Sequence, residues 1–123
     1  MRRNPRELGR QGEALAAAYL ERKGWRILDR NYRFERAEVD LVATDGREIV
    51  FVEVKTRASL DMGYPEEAVT AHKQRQLYRV AQAWLQERRM WGAPIRFDIL
   101  AIVWPPGGQP SIEHLEDALW EMS

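Results

Sequence analysis

The run Ile49-Val50-Phe51-Val52-Glu53-Val54-Lys55-Thr56-Arg57 decides how the chain folds. Its β-branched and aromatic residues mark a strand. Alternate side chains of a strand share a face, so Ile49, Phe51, Glu53, Lys55 and Arg57 point one way. Val50, Val52 and Val54 point the other. A strand that is apolar on both faces belongs inside a sheet covered on both sides. Glu53 and Lys55 break that pattern at the end of the strand. Charges there need pairing or a bound metal, because an isolated buried charge is costly.

Toward the N-terminus, Asp45-Gly46 is the strongest hairpin signal in the chain. It joins the strand, drawn here as Arg47 to Thr56, to a preceding one from Glu38 to Thr44. A two-residue loop sets Glu38 opposite Glu53 and Asp40 opposite Phe51. A longer loop slides Asp40 opposite Glu53. In both registers, parity places Glu38 and Asp40 on the face of Glu53 and Lys55. Three carboxylates and one ammonium then converge. Carboxylates so placed repel unless a cation or a shared proton intervenes. Carboxylate and carbonyl oxygens suit Mg²⁺ or Mn²⁺.

Trp25 to Phe34 reads as a third strand. Before it, a helix runs from Pro5 to Lys23, with Asn4 as its cap and Gly24 as its stop. Leu8, Gly12, Leu15, Ala16 and Tyr19 form its apolar stripe, and Glu13 lies at the stripe's edge. Gly9 and Gly12 allow close packing. After the central strand come a loop, Ala58 to Tyr64, and a second helix from Pro65 or Thr70 to Arg89. Lys73 falls inside this helix's stripe of Val69, Leu77, Val80 and Trp84. A lysine there either snorkels to water or reaches across the sheet toward the carboxylates. Gln74 and Tyr78 flank the same stripe. Ile95 to Trp104 is a strand apolar on both faces. A turn at Pro105-Pro106-Gly107-Gly108, a short strand at Ser111 to Glu113 and a helical turn from Leu115 to Trp120 close the chain. The order is αβββαβ with a small C-terminal βα, without repeat or linker. It describes one α/β domain over residues 1–123, with a mixed central sheet flanked by helices.

Composition narrows the function. The chain has no cysteine, so disulfides and thiolate metal sites are excluded, and a reducing cytoplasm is the simplest compartment. No apolar run is long enough to span a bilayer. Net charge is zero but unevenly spread: residues 1–36 hold ten Arg or Lys against five acids, and residues 97–123 hold five acids and no Arg or Lys. Neutrality argues against indiscriminate polyanion binding. The basic N-terminal third, Arg10 included, leaves room for a local phosphate-facing patch. His72 and His114 do not suggest a histidine site, and no Ser-His-Asp set, phosphate-cradling glycine loop or zinc spacing is present. Asp98 reads as an ion-pair partner of Arg33 or Arg57.

The chemistry these groups fit is metal-assisted phosphodiester hydrolysis. Asp40 and Glu53 would be ligands, with the carbonyl of Val54. Lys55 would position water or stabilise developing charge. Lys73 and Arg57 would hold phosphate, and Glu38 would support the acids or pair with an arginine.

Asp40 followed by Glu53-Val54-Lys55 resembles the Asp…Glu-x-Lys signature of the PD-(D/E)xK nuclease superfamily. More closely, the chain resembles the small YraN-type bacterial family. The matching segments are Gly9 to Ala14, Asn31-Tyr32-Arg33, Glu38-Val39-Asp40-Leu41, Phe51 to Arg57, Lys73 and Arg96-Phe97-Asp98. The resemblance implies a restriction-endonuclease-like fold. It also implies likeness to Holliday-junction resolvases, which are dimers acting on branched DNA, and hence a homodimer that cuts DNA in repair or recombination. In those enzymes a glutamate on the first helix joins the metal site, and Glu13 sits where it would. Gln74-x-x-x-Tyr78 resembles a motif of RecB-like nucleases. Val39 replaces the motif's proline, and Ala37 stands where the commoner family form has glycine. Two further readings are a non-catalytic nucleic-acid- or protein-binding module that keeps the fold, and a nuclease for RNA.

Overall fold

The computed structural model describes residues 3–120. The elements, in order, are α1 (Pro5–Arg22), β1 (Arg26–Phe34), β2 (Ala37–Thr44), β3 (Ile49–Arg57), a short 3-10 helix (Pro65–Ala68), α2 (Ala71–Glu87), β4 (Ile95–Val103) and β5 (Ser111–Leu115). The sheet runs β1-β2-β3-β4-β5. β3 and β4 are parallel and every other neighbouring pair is antiparallel, so the sheet is mixed as expected.

Local chemistry sets the element ends. Asn4 Oδ1 accepts from Glu7 N–H at 2.8 Å and starts α1. Gly24, at φ 91, carries the chain out of it. The β2–β3 connection is the longer of the two loops considered, because Asp45 Oδ1 accepts from both Arg47 N–H and Glu48 N–H at 2.8 Å. Four residues therefore separate the paired Thr44 and Ile49. The second helix starts at the later of its two expected positions. Thr70 Oγ1 caps Lys73 N–H at 3.3 Å, and Val69, at ψ 79, breaks the chain from the 3-10 turn before it.

The expected C-terminal helical turn is absent among the described residues. Asp117 adopts φ 50 and diverts the chain. Ala118 N–H then bonds to Phe97 O at 2.8 Å, and Trp120 N–H to Gln74 Oε1 at 3.0 Å. These amides serve β4 and α2 instead of a helix.

Each face of the sheet carries one helix. On one face Leu77, Val80 and Trp84 of α2 pack with Val42, Phe51 and Phe97. On the other Ala16, Ala17 and Leu20 of α1 pack with Leu41, Val50, Val52 and Leu100. Gly12 is the contact point on α1, since a Cβ there would overlap Thr56 Oγ1. Gly9 has no such neighbour, so only Gly12 is needed for close approach.

Candidate functional site

The site lies where β2 and β3 part. Their ladder is continuous from Thr44↔Ile49 to Leu41↔Val52, and the next step sets Asp40 beside Glu53. The parting has a backbone cause. Val39 and Val42 both pack on the α2 face although they are three positions apart, so strict alternation fails between Val39 and Leu41. On β1, Asn31 lies between the pairs Arg30↔Leu41 and Tyr32↔Val39 and adopts φ 51. A left-handed residue in mid-strand resets which face the following residues occupy. Asp40 still meets Glu53 as parity expects, but the count does not extend to Val39 and Glu38. Asp40 turns its carboxylate onto β3 itself, where Oδ2 accepts from Val54 N–H at 2.7 Å.

Asp40 is 8% exposed and Glu53 2% exposed. Burial pushes the Asp40 carboxyl up to about 8, and the neighbouring charge of Glu53 adds to the shift. The Val54 N–H works the other way and is outweighed. Asp40 and Glu53 also hydrogen-bond. At neutral pH the two carboxyls thus hold a proton as a pair.

Both lysines of interest reach Glu53. Lys55 Nζ and Lys73 Nζ each lie 3.2 Å from Glu53 Oε2. Lys73 is directed across the sheet rather than toward solvent. The other oxygen, Glu53 Oε1, is buried without a hydrogen-bond partner. One carboxylate oxygen is thus doubly paired, and the other meets no donor except the proton that the Asp40–Glu53 pair holds.

Glu13 stands at the edge of this group. Burial raises its pKa first, the charges of Glu38 and Glu53 add to it, and a hydrogen bond with Asn31 opposes it. Glu13 shares a shallow depression with Arg10, Arg30 and Asn31. Glu38 pairs with Arg33 at 3.2 Å, the structural role weighed for it. Among the described residues, no three acidic, histidine or cysteine side chains already meet at one metal-binding point. The inner group is therefore Asp40, Glu53, Lys55 and Lys73, with Glu13 and Glu38 outside it.

The other candidates sit elsewhere. Gln74 is 1% exposed and donates to Val69 O at 3.1 Å while accepting from Trp120 N–H, so it ties the C-terminal segment to α2. Arg57 donates to Thr56 O at 3.3 Å and lines a separate cleft. Asp98 pairs with neither Arg33 nor Arg57. Its partner is Arg96, through Nε to Oδ1 at 2.8 Å and Nη2 to Oδ2 at 2.9 Å. His114 Nε2 lies 2.7 Å from Asp98 Oδ2, and its Nδ1 lies 3.1 Å from Lys23 Nζ. Since an ammonium only donates, Nδ1 accepts and the ring proton faces Asp98. Asn31 was not singled out as a site residue. Its signal was an asparagine amid strand residues, a type that tolerates left-handed backbone.

A helix, a three-stranded meander, a crossover helix and a parallel strand, with acids at the parting of β2 and β3, define a restriction-endonuclease-like α/β core. Residues 12–102 match the family described as "Uncharacterised protein family UPF0102". A UPF0102 protein of Geobacter sulfurreducens is 51% identical over 111 residues, covering 90% of this chain and 87% of that one. One from Rhodococcus opacus is 50% identical, covering 90% and 94%. One from Chlorobium limicola is 45% identical over 98% of both chains. The chain belongs to the UPF0102 family, the YraN-type family that its motifs resemble. Among the described residues no helix is long and apolar enough to cross a membrane.

Proposed function

We propose that this protein is a metal-dependent endonuclease that hydrolyses phosphodiester bonds in DNA, branched DNA included, and that it works in repair or recombination in the cytoplasm. One observation carries the reading: Glu53 is buried with Oε1 unpartnered, beside an Asp40 carboxyl raised to about 8. A buried carboxylate oxygen whose donor is only the proton shared with a second acid fits a hard divalent cation that would take that proton's place. Asp40, Glu53 and the carbonyl of Val54 would hold Mg²⁺ or Mn²⁺, with Glu13 as a further acid from α1. Such an ion supplies Lewis-acid polarisation of a phosphoryl oxygen and a more acidic water.

The chain's own groups do the rest. Asp40 is fixed by the Val54 N–H and must give up its proton to act as a ligand. Lys55 Nζ, anchored on Glu53 Oε2, can donate to an attacking water or to a phosphate oxygen as charge develops. Lys73 offers a second ammonium for the phosphate from α2. Arg10 and Arg30, around Glu13, add positive charge on the α1 side. The likeness to dimeric resolvases adds a homodimer to this reading, which sedimentation would check.

The decisive experiment is cleavage of four-way, flap and linear DNA with Mn²⁺, alongside Asp40→Asn and Lys55→Ala. Wild type should cut, and each variant should lose about 100-fold or more. Wild type that binds no divalent ion by calorimetry, with or without DNA, refutes the proposal. A second reading, a binding module without catalysis, is favoured by the charge balance: two ammoniums already face the Asp40–Glu53 pair. It predicts DNA or protein binding that chelators leave unchanged.

A further inference from the structure

A second concave space lies away from the acids. It is a cleft of about 490 Å³ between the start of α1 and the ends of β3 and β4, lined by Arg3, Thr56, Arg57, Ser59, Asp61 and Trp104 among others. β3 and β4 are the parallel pair, and both enter the cleft by their carboxyl ends. Open α/β sheets bind ligands outside the carboxyl ends of parallel strands. The cleft's chemistry is specific. The Arg3 guanidinium lies 4.3 Å from the centroid of the Trp104 ring. It is held there by Gln11 Oε1 at 2.6 Å and Trp104 O at 3.4 Å. The result is a fixed, flat cationic platform. Arg57 supplies a second guanidinium, and its carbonyl anchors the far wall by accepting from Trp104 N–H at 2.8 Å.

We propose that this cleft receives one unpaired nucleotide of the DNA substrate, its base against the Arg3–Trp104 platform and its phosphate toward Arg57. The inference rests on the nuclease reading and deepens it, by assigning a substrate with a single-stranded segment. Bases stack on aromatic rings and guanidinium planes regardless of sequence. A volume of about 490 Å³ is on the scale that encloses one small molecule. It is too small for a duplex, whose major groove alone is about 12 Å wide. Asp61 at the wall disfavours a bare phosphate and can accept from the N–H edge of a base. Spacing also fits. Arg57 is four residues beyond Glu53 on one strand, about 13 Å at strand rise. That is roughly four steps of duplex rise, and fewer nucleotides of an extended strand. A DNA strand with its cut phosphate at Glu53 therefore reaches the cleft a few nucleotides away.

The test is binding of a short fluorescein-labelled oligothymidylate, and of a blunt duplex of equal length, by anisotropy in EDTA. The single strand should bind more tightly than the duplex. Trp104→Ala should weaken it roughly 5- to 150-fold, the worth of one stacked base, Arg57→Ala should weaken it by loss of the phosphate contact, and Trp104→Phe should retain most of the affinity. Circular dichroism checks folding, and Arg57→Ala reads the phosphate of the same bound nucleotide if Trp104→Ala does not fold. Oligothymidylate binding unchanged in both alanine variants overturns the proposal, as does a duplex bound equally well. Asp40→Asn separates the two readings: it should abolish cutting and leave oligothymidylate binding intact. Cutting that survives with no effect at Trp104 or Arg57 sinks this inference alone. Oligothymidylate binding through Trp104 without any cutting by wild type sinks the nuclease reading alone.

Discussion

Two buried aspartates illustrate how neighbours, not residue type, set the behaviour of a carboxyl. Asp40 is raised to about 8 by burial, with Glu53 adding to it. Its folded-state proton affinity thus exceeds that of an unfolded aspartate, whose pKa is about 3.9. The folded form binds the extra proton between those values, so this group's contribution to stability falls as pH rises from about 4 to about 8. Asp40→Asn removes the titration and keeps an oxygen for the Val54 N–H. The variant should melt higher than metal-free wild type, and the gap should widen from pH 5 to pH 8 and then level off. A gap of about 3 °C corresponds to about 1 kcal/mol in a chain of this size. Thermal melts in EDTA across that range decide it. A gap that is flat with pH would show that Asp40 is not the proton-holding group. Mn²⁺ should reverse the ranking, because wild type alone then gains a ligand for the deprotonated pair.

At the scale of elements, the close contact of α1 with β3 passes through one atom-sized opening. A Cβ at Gly12 would overlap Thr56 Oγ1, with Thr56 Cβ close behind it. Gly12→Ala should therefore push α1 off the sheet and cost about 1–3 kcal/mol in denaturant melts, despite alanine's better helix propensity. Gly9→Ala, with open space around it, should be neutral or slightly stabilising. Equal costs for the two would refute the packing argument. This contact also shows what could be read from sequence. The strand of residues 49–57 announced itself by composition and alternation, and Lys73 by its place inside an apolar stripe, because both signals are periodic. The facing of Glu38 was not legible by counting, although that of Asp40 was. One left-handed residue, Asn31, lies on the neighbouring strand, and its effect on β2 passes through the ladder rather than along the sequence. The loop at Asp45-Gly46 was legible as a turn, but its length depended on which amides the Asp45 side chain caps.

Across the whole molecule, the acids divide into a set under strain and a set at rest. Asp98, 1% exposed on β4, gathers Arg96 from its own strand, His114 from β5 and the Asp117 N–H from the turn beyond. Tyr19 of α1 and Lys23, just past its end, close the group from above, with the Tyr19 hydroxyl 3.4 Å from His114 Nδ1. Sequence could not join these residues, since Tyr19 and His114 alone lie 95 positions apart and the set shares no periodic pattern. The group fastens α1, β4, β5 and the C-terminal turn to one carboxylate. Burial pushes Asp98 up, yet the bonds from His114, Arg96 and Asp117 outweigh it and hold the carboxyl below its usual range. The sign is therefore opposite to that of Asp40. The stabilisation is fully present above the unfolded value near 4 and is lost as pH falls through the lower folded value. Asp98→Ala should cost about 3 kcal/mol near neutral pH, the low end for a broken buried pair, because Arg96 keeps Glu48 at 3.2 Å. That cost should shrink as pH falls below about 4, where the unfolded aspartate takes up a proton that the folded one resists. The substitution should leave the inner acid group in place, so any Mn²⁺ affinity of the folded variant should match wild type. Urea melts from pH 3 to pH 8, with calorimetry on the folded variant, read both outcomes. A cost that stays constant with pH, or a Mn²⁺ affinity that falls with Asp98, would mean that the two carboxylate groups act as one site.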